Sequence, residues 1–166
     1  MPDLLVKLYE LPPLEPVLDR VAQNGVDVRR AIAPEKHHIC AFARQHFNEG
    51  WVSEIEVAYA QTPHGVFVAT KEGRCVGFSC YDATCRGFFG PTGVDKSERG
   101  SGIGAALLLS ALHAMRHVGY GYAIIGAAGP IDFYSRLCGA TVIEGSVPGV
   151  YRGMLKALPK SDSKTE

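Results

Sequence analysis

Between Gly65 and Ala127 the chain changes its hydrophobic period twice, and that switch restricts the fold more than any other feature. "GVFVAT", "RCVGFSCY" and "CRGFFGPTGV" are short β-rich runs parted by "KEG" and "DAT", the pattern of an antiparallel meander. "DKSERGSGIGAALLLSALHAM" (Asp95 to Met115) then sets three alternating glycines before a helical run. The helix is expected from about Gly102 to Val118, stopped by Gly119. "YAIIGAA" follows as a wholly apolar strand, suited to the middle of a sheet. The strand–helix–strand unit from Cys85 to Ala127 should therefore be a right-handed parallel crossover, set among antiparallel hairpins. The expectation is a mixed, mostly antiparallel sheet in an α+β domain of three layers.

The flanks fit that frame. Leu14 to Asn24 reads as an amphipathic helix, and "VDVRRAI" as an edge or half-buried strand. Pro34 opens a helix through "PEKHHICAFARQHFNEG", and "WVSEIEVAYAQ" is a second. "IDFYSRLCGA" is a brief helix ending at Gly139, and "TVIEGSVPGVYRGML" reads as a terminal hairpin. At 166 residues one domain is expected, spanning 1–158. Within it residues 1–25 form an N-terminal extension packed on the rest, and 159–166 a polar, disordered tail.

Seventeen basic and seventeen acidic residues cancel, so no global field favours nucleic acid or an anionic membrane. The N-terminus has no basic start or small-residue cleavage site, and no apolar run reaches spanning length. The five cysteines (40, 75, 80, 85 and 138) include no C-x-x-C, which reads as reduced thiols in a cytoplasmic protein without a metal site.

Each interior helical glycine costs about 1 kcal/mol against alanine, so three at a helix mouth imply a close approach to the backbone. Amides at such a mouth, with the helix dipole, attract anions. Gly90 with Asp95-Lys96-Ser97 nearly fits a P-loop, but Asp95 stands where its second glycine belongs. Gly100, Gly102 and Ala105 satisfy G-x-G-x-x-A, yet five polar residues separate them from Val94 and hairpins precede them. A nicotinamide or flavin site is therefore disfavoured.

Arg99-Gly100-Ser101-Gly102-Ile103-Gly104 fits R/Q-x-x-G-x-G/A, and here the chain resembles the GNAT family of N-acetyltransferases. "GPTGVDKSERGSGIGAALL" looks like that family's strand end, pyrophosphate loop and long helix, and "IDFYSRLCGATVI" like its Phe-Tyr-x-x-x-G segment. The resemblance covers roughly Val26 to Leu158. It implies the family's acyl-CoA fold, in which two central parallel strands splay apart, here around Gly90 to Val94 opposite Gly126. It implies acetyl-CoA as co-substrate, with Arg99, Gly100, Ser101, Gly102, Ile103, Gly104 and Ala105 at the pyrophosphate. Thr92, Gly93, Val94, Gly126 and Tyr134 would lie along the pantetheine arm, an amide of Thr92 to Val94 polarising the thioester. Tyr134 matches the family's general acid. Many relatives carry an asparagine shortly before that helix, and "GAAGPI" has none.

The implied acceptor is an amine of a small molecule or a protein, and the resemblance admits a homodimer. A catalytically weak CoA-binding sensor is the rival. No carboxylate stands on "CRGFFGPTGV", which leaves Glu54, Glu56, Asp82 and His64 as bases, each read first as a solvated group. Ser110, His113, Arg116 and His117 share one helix face and are expected to be solvated rather than to hold zinc. His37 and His38 lie at a helix start and are candidates for the acceptor mouth, which pattern alone does not show.

Overall fold

In the computed structural model, which describes residues 1–156, seven strands form one mixed sheet. In chain order the elements are β1 (Leu4–Lys7), α1 (Glu15–Gln23), β2 (Val26–Arg30), α2 (Lys36–His46), α3 (Glu49–Tyr59) and β3 (Val66–Lys71). There follow β4 (Arg74–Tyr81), β5 (Phe88–Val94), α4 (Ile103–His117), β6 (Tyr122–Ile125), α5 (Ile131–Cys138) and β7 (Thr141–Val142). The sheet order is β2-β3-β4-β5-β6-β1-β7, with β5 and β6 the one parallel pair. The expected meander and crossover are both present.

Strands buried on both faces must be apolar throughout, and β3 shows why. Val66 and Val68 enter one core, with α2, α3 and Phe78. Phe67 and Ala69 enter the other, with α4. Side chains of successive strand residues point to opposite faces, so both sets are needed. Three layers result.

The termini depart from expectation. Leu4–Lys7 is a sheet strand rather than an extension laid over the domain: it pairs antiparallel with β6 and also with β7. Leu4, Val6 and Leu8 are fully buried. Four residues are too short for a recognisable pattern, so β1 is decided by the open edge of β6. The expected terminal hairpin is absent. Only Thr141–Val142 is strand, and the chain then turns, with a 3-10 turn at Gly149–Tyr151. Left-handed backbone at Gly145 and Gly149 breaks the extended run. The polar tail expected from residue 159 lies outside the described residues.

The helix face expected to be solvated is half covered. Ser110 is only 5% exposed, and His113 Nε2 lies 2.9 Å from the Pro12 carbonyl, because the N-terminal segment crosses α4. Arg116 and His117 alone of the four are exposed.

One ion pair ties β2 to the entrance of α2. Arg29 donates to both Glu35 carboxylate oxygens, at 2.6 and 2.9 Å, and Ile32 N–H adds a third bond at 2.8 Å. The guanidinium holds the Glu35 carboxyl at about 2, below its ordinary 4.5, with the Ile32 amide acting in the same direction. A carboxyl lowered in the folded state stabilises fully above its ordinary pKa and progressively less as pH falls towards the folded value. The Glu35 and Arg29 side chains are 23% and 39% exposed, so solvent screening holds the contribution to about 1 kcal/mol. Glu35→Gln should lower the urea midpoint correspondingly at neutral pH, and the two proteins should converge near pH 2. A constant gap across that range would deny the charge any part in it.

Candidate active site

The sheet opens where β5 and β6 part. They pair at Phe88–Ile124 and Phe89–Ile125 and no further, while β5 runs on to Val94 beside β4. Asp95 N–H donates to Val76 O. In an antiparallel ladder successive residues turn their backbone groups to opposite neighbours. Val94 and Thr92 therefore turn theirs away from β4, to the side β6 has left. Val94 C=O there takes Arg99 Nε–H at 3.3 Å. Gly93 turns its groups to Phe78 on β4 instead. A Cβ on Gly93 would overlap the Phe47 ring, so this glycine serves the packing of Phe47, itself stacked on Trp51. Of the three β5 positions expected along the pantetheine arm, Thr92 and Val94 turn their N–H groups to the open side and Gly93 does not.

The glycine loop ends at Gly102, whose φ of +92° caps α4 without a side chain. Ile103, Gly104 and Ala105 are the first helical residues, so their amides have no acceptor one turn back. A Cβ on Gly104 would meet only Phe133 and Val94, both at 3.9 Å, leaving the space over that amide open. Arg99 and Gly100 are exposed, and the Ser101 hydroxyl donates to Glu98 O at 2.5 Å. The Glu98 carboxylate is paired with Lys71 at 3.0 Å, which blunts its repulsion of an anion at the helix mouth. The donor set suits a pyrophosphate: amides without helical acceptors, a positive helix end and one arginine.

From the splay a cleft of about 1020 Å³ extends between α3 and the C-terminal turn. Thr92, Gly126 and Tyr134 line it. Tyr134 is 7% exposed, and burial pushes its phenol up from the ordinary value, with Cys138 adding to the shift. It is thus a protonated donor at neutral pH. A Cβ on Gly126 would lie 2.5 Å from Tyr151 Oη, so the glycine makes room for a second phenol. Tyr151 was concealed in the expected hairpin. The glycines around it were the one available sign of a turn.

Of the four candidate bases, only Glu54 lines the cleft, where its Oε1 accepts the Thr84 hydroxyl proton. Asp82 instead holds a turn, accepting from Gly87 N–H at 2.6 Å and Tyr120 O–H at 2.8 Å. His64 packs on Tyr59, and Glu56 pairs with Lys36 at 3.6 Å. His37 and His38 do not line the cleft, because it opens beside α3 rather than at the start of α2. Among the described residues no cluster of three or more His, Cys, Asp or Glu could hold a metal, and no helix is long and apolar enough to cross a membrane.

A sequence model described as the acetyltransferase (GNAT) family matches residues 27–140. No curated protein matches the chain. Among solved structures the fold is similar to a GCN5-related glucosamine N-acetyltransferase region of a fungal multi-domain GH3 β-N-acetylglucosaminidase. That match has TM-score 0.70 and 18% identity over 86% of this chain and 19% of the other. A GCN5-related N-acetyltransferase from Sphaerobacter thermophilus matches with TM-score 0.65 and 20% identity, over 86% of this chain and 48% of that one. The corresponding protein of Kribbella flavida gives 0.56 and 20%, over 85% and 53%. The chain thus spans about half or less of the length of these structures.

Proposed function

The chain belongs to the GNAT acetyltransferase family, and from that premise we propose that it transfers the acetyl group of acetyl-CoA to a primary amine of a small molecule or protein. The observation that supports this reading is the order of groups along the splay. β5 carries Thr92, which lines the cleft with Tyr134, then Val94, and the loop after it opens α4.

In this reading the amides of Ile103, Gly104 and Ala105, with Arg99, hold the pyrophosphate. The free edge of β5 aligns the pantetheine arm as an added strand would. The bound thioester supplies the activated acetyl group. A neutral amine nitrogen attacks its carbonyl carbon, the C–N bond forms and the C–S bond breaks. A backbone N–H of Thr92 or Val94 stabilises the negative charge that builds on the carbonyl oxygen. Tyr134 donates its proton to the departing thiolate, and the amine's surplus proton leaves through Glu54 or water.

Millimolar acetyl-CoA should raise the melting temperature by several degrees through mass action, while NAD and ATP should not. Thiol release should follow when an acceptor amine is added. Stabilisation by NAD alone would overturn the cofactor. Tight CoA binding with no thiol release across a broad amine panel would leave a CoA sensor instead of an enzyme.

A further inference from the structure

We infer that the acceptor is a primary amine with a single positive charge on an apolar skeleton, an inference that rests on the acetyl-transfer reading above. Among the described residues lining the cleft, Glu54 carries the one charged side chain. The Thr84 hydroxyl occupies Glu54 Oε1, which leaves Oε2 for a ligand's N–H. Trp51, Phe89 and Ile125 line the same cleft. At the rim Met1, Val57, Val150 and Met154 are 71%, 49%, 53% and 67% exposed, four large apolar side chains left in water beside one carboxylate. Exposed apolar surface gathered at a cleft marks a place where something apolar is buried.

Charge decides between the amines that could enter. The carboxylate attracts an ammonium, and the walls favour whatever hydrocarbon the ammonium carries. No Lys, Arg or His lines the cleft among the described residues. An amino acid or amino phosphate would bring its own anion next to Glu54 with no cationic side chain to pair it, which disfavours binding. Polyamines would bring further charges with no second carboxylate to pair them, and amino sugars would set hydroxyls against Trp51, Val57, Phe89, Ile125, Val150 and Met154. An arylalkyl or alkyl monoamine satisfies both the carboxylate and the walls.

Trp51 is the chain's only tryptophan, so its emission reports occupancy without a label. Titrations with 2-phenylethylamine and hexylamine should change it, with affinities about tenfold or more above those for spermidine, glucosamine and lysine. Glu54→Gln should weaken both apolar amines about tenfold, as loss of a charge-assisted hydrogen bond does. It should leave binding of 2-phenylethanol, the neutral counterpart, unchanged. Equal or tighter binding of the polar amines overturns the inference. So does amine affinity indifferent to Glu54→Gln, or an equal loss for 2-phenylethanol, which would make Glu54 a packing residue. Emission that changes with protein concentration as a dimer forms would show a second copy covering the rim, and overturns it too. Amine binding without thiol release would remove the acetyl-transfer reading and leave the ligand class standing. Thiol release with polar amines alone would do the reverse.

Discussion

Gly104→Val should reduce CoA affinity about a hundredfold, roughly 2.7 kcal/mol, while the folded protein remains as stable as the parent. The position lies in ordinary helical backbone at the first turn of α4, and its nearest neighbours stand 3.9 Å from where a Cβ would be. A Cβ there makes only ordinary van der Waals contacts, and valine is no worse a helix residue than glycine. The obstruction falls on whatever approaches the amides from outside. Calorimetry with CoA measures the loss directly. S-acetylpantetheine, which lacks the pyrophosphate, is the control and should be used equally well by both proteins. Gly102→Val is a poorer test, because at φ +92° a branched residue strains the backbone whether or not a ligand binds there. Arg99→Ala should cost less than Gly104→Val and vary with salt, since an exposed charge is lost while the amides remain. Unchanged CoA affinity in the Gly104→Val protein would move the pyrophosphate away from α4.

Tyr134→Phe should lower turnover about a hundredfold with little change in the Michaelis constant for acetyl-CoA. The substitution removes only a hydroxyl. The ring's edge-to-face packing on Phe133, with centroids 5.2 Å apart, is available to phenylalanine as well, so the fold should persist. Because burial raises the phenol's pKa, the group stays protonated through neutral pH and donates over that whole range. Parent activity should therefore show no Tyr134-dependent decline until strongly alkaline pH. The deficit of the variant should shrink with a thioester whose thiolate is a better leaving group and needs no proton. Equal turnover in the two proteins would reduce Tyr134 to a packing aromatic.

The crossover from β5 through α4 to β6 was legible in the residues because it is local. The strand period, the glycines at the helix mouth and the apolar run of β6 each act within a few positions of one another. The glycine loop belongs to that same unit and Tyr134 to the short helix directly after it, and so both were readable with it. What the unit could not show was its neighbours. Nothing in "LLVK" announces a strand. It becomes one because the free edge of β6 offers hydrogen-bond partners and a buried face for Leu4 and Val6. Asp3 then takes the Ala127 amide at 2.8 Å, and its own N–H donates to the Ser146 hydroxyl at 2.8 Å. That joins the first residues, the end of β6 and the C-terminal turn across more than a hundred positions of sequence.

The same limit governed the cleft. Glu54, Glu56, Asp82 and His64 were equivalent as letters, since a carboxylate's role depends on what faces it. The tertiary structure set Glu54 in the cleft, bound Asp82 into a turn and left Glu56 on the surface. It also changed what two glycines are for: Gly93 admits Phe47, and Gly126 admits Tyr151. By itself, then, the sequence determined the crossover, the glycine loop at its helix mouth and the family, because period, glycine placement and motif spacing are short-range properties. The tertiary structure decided the sheet edge, the second tyrosine and the lone carboxylate of the cleft. Those depend on contacts between segments distant in the chain, which only packing brings together.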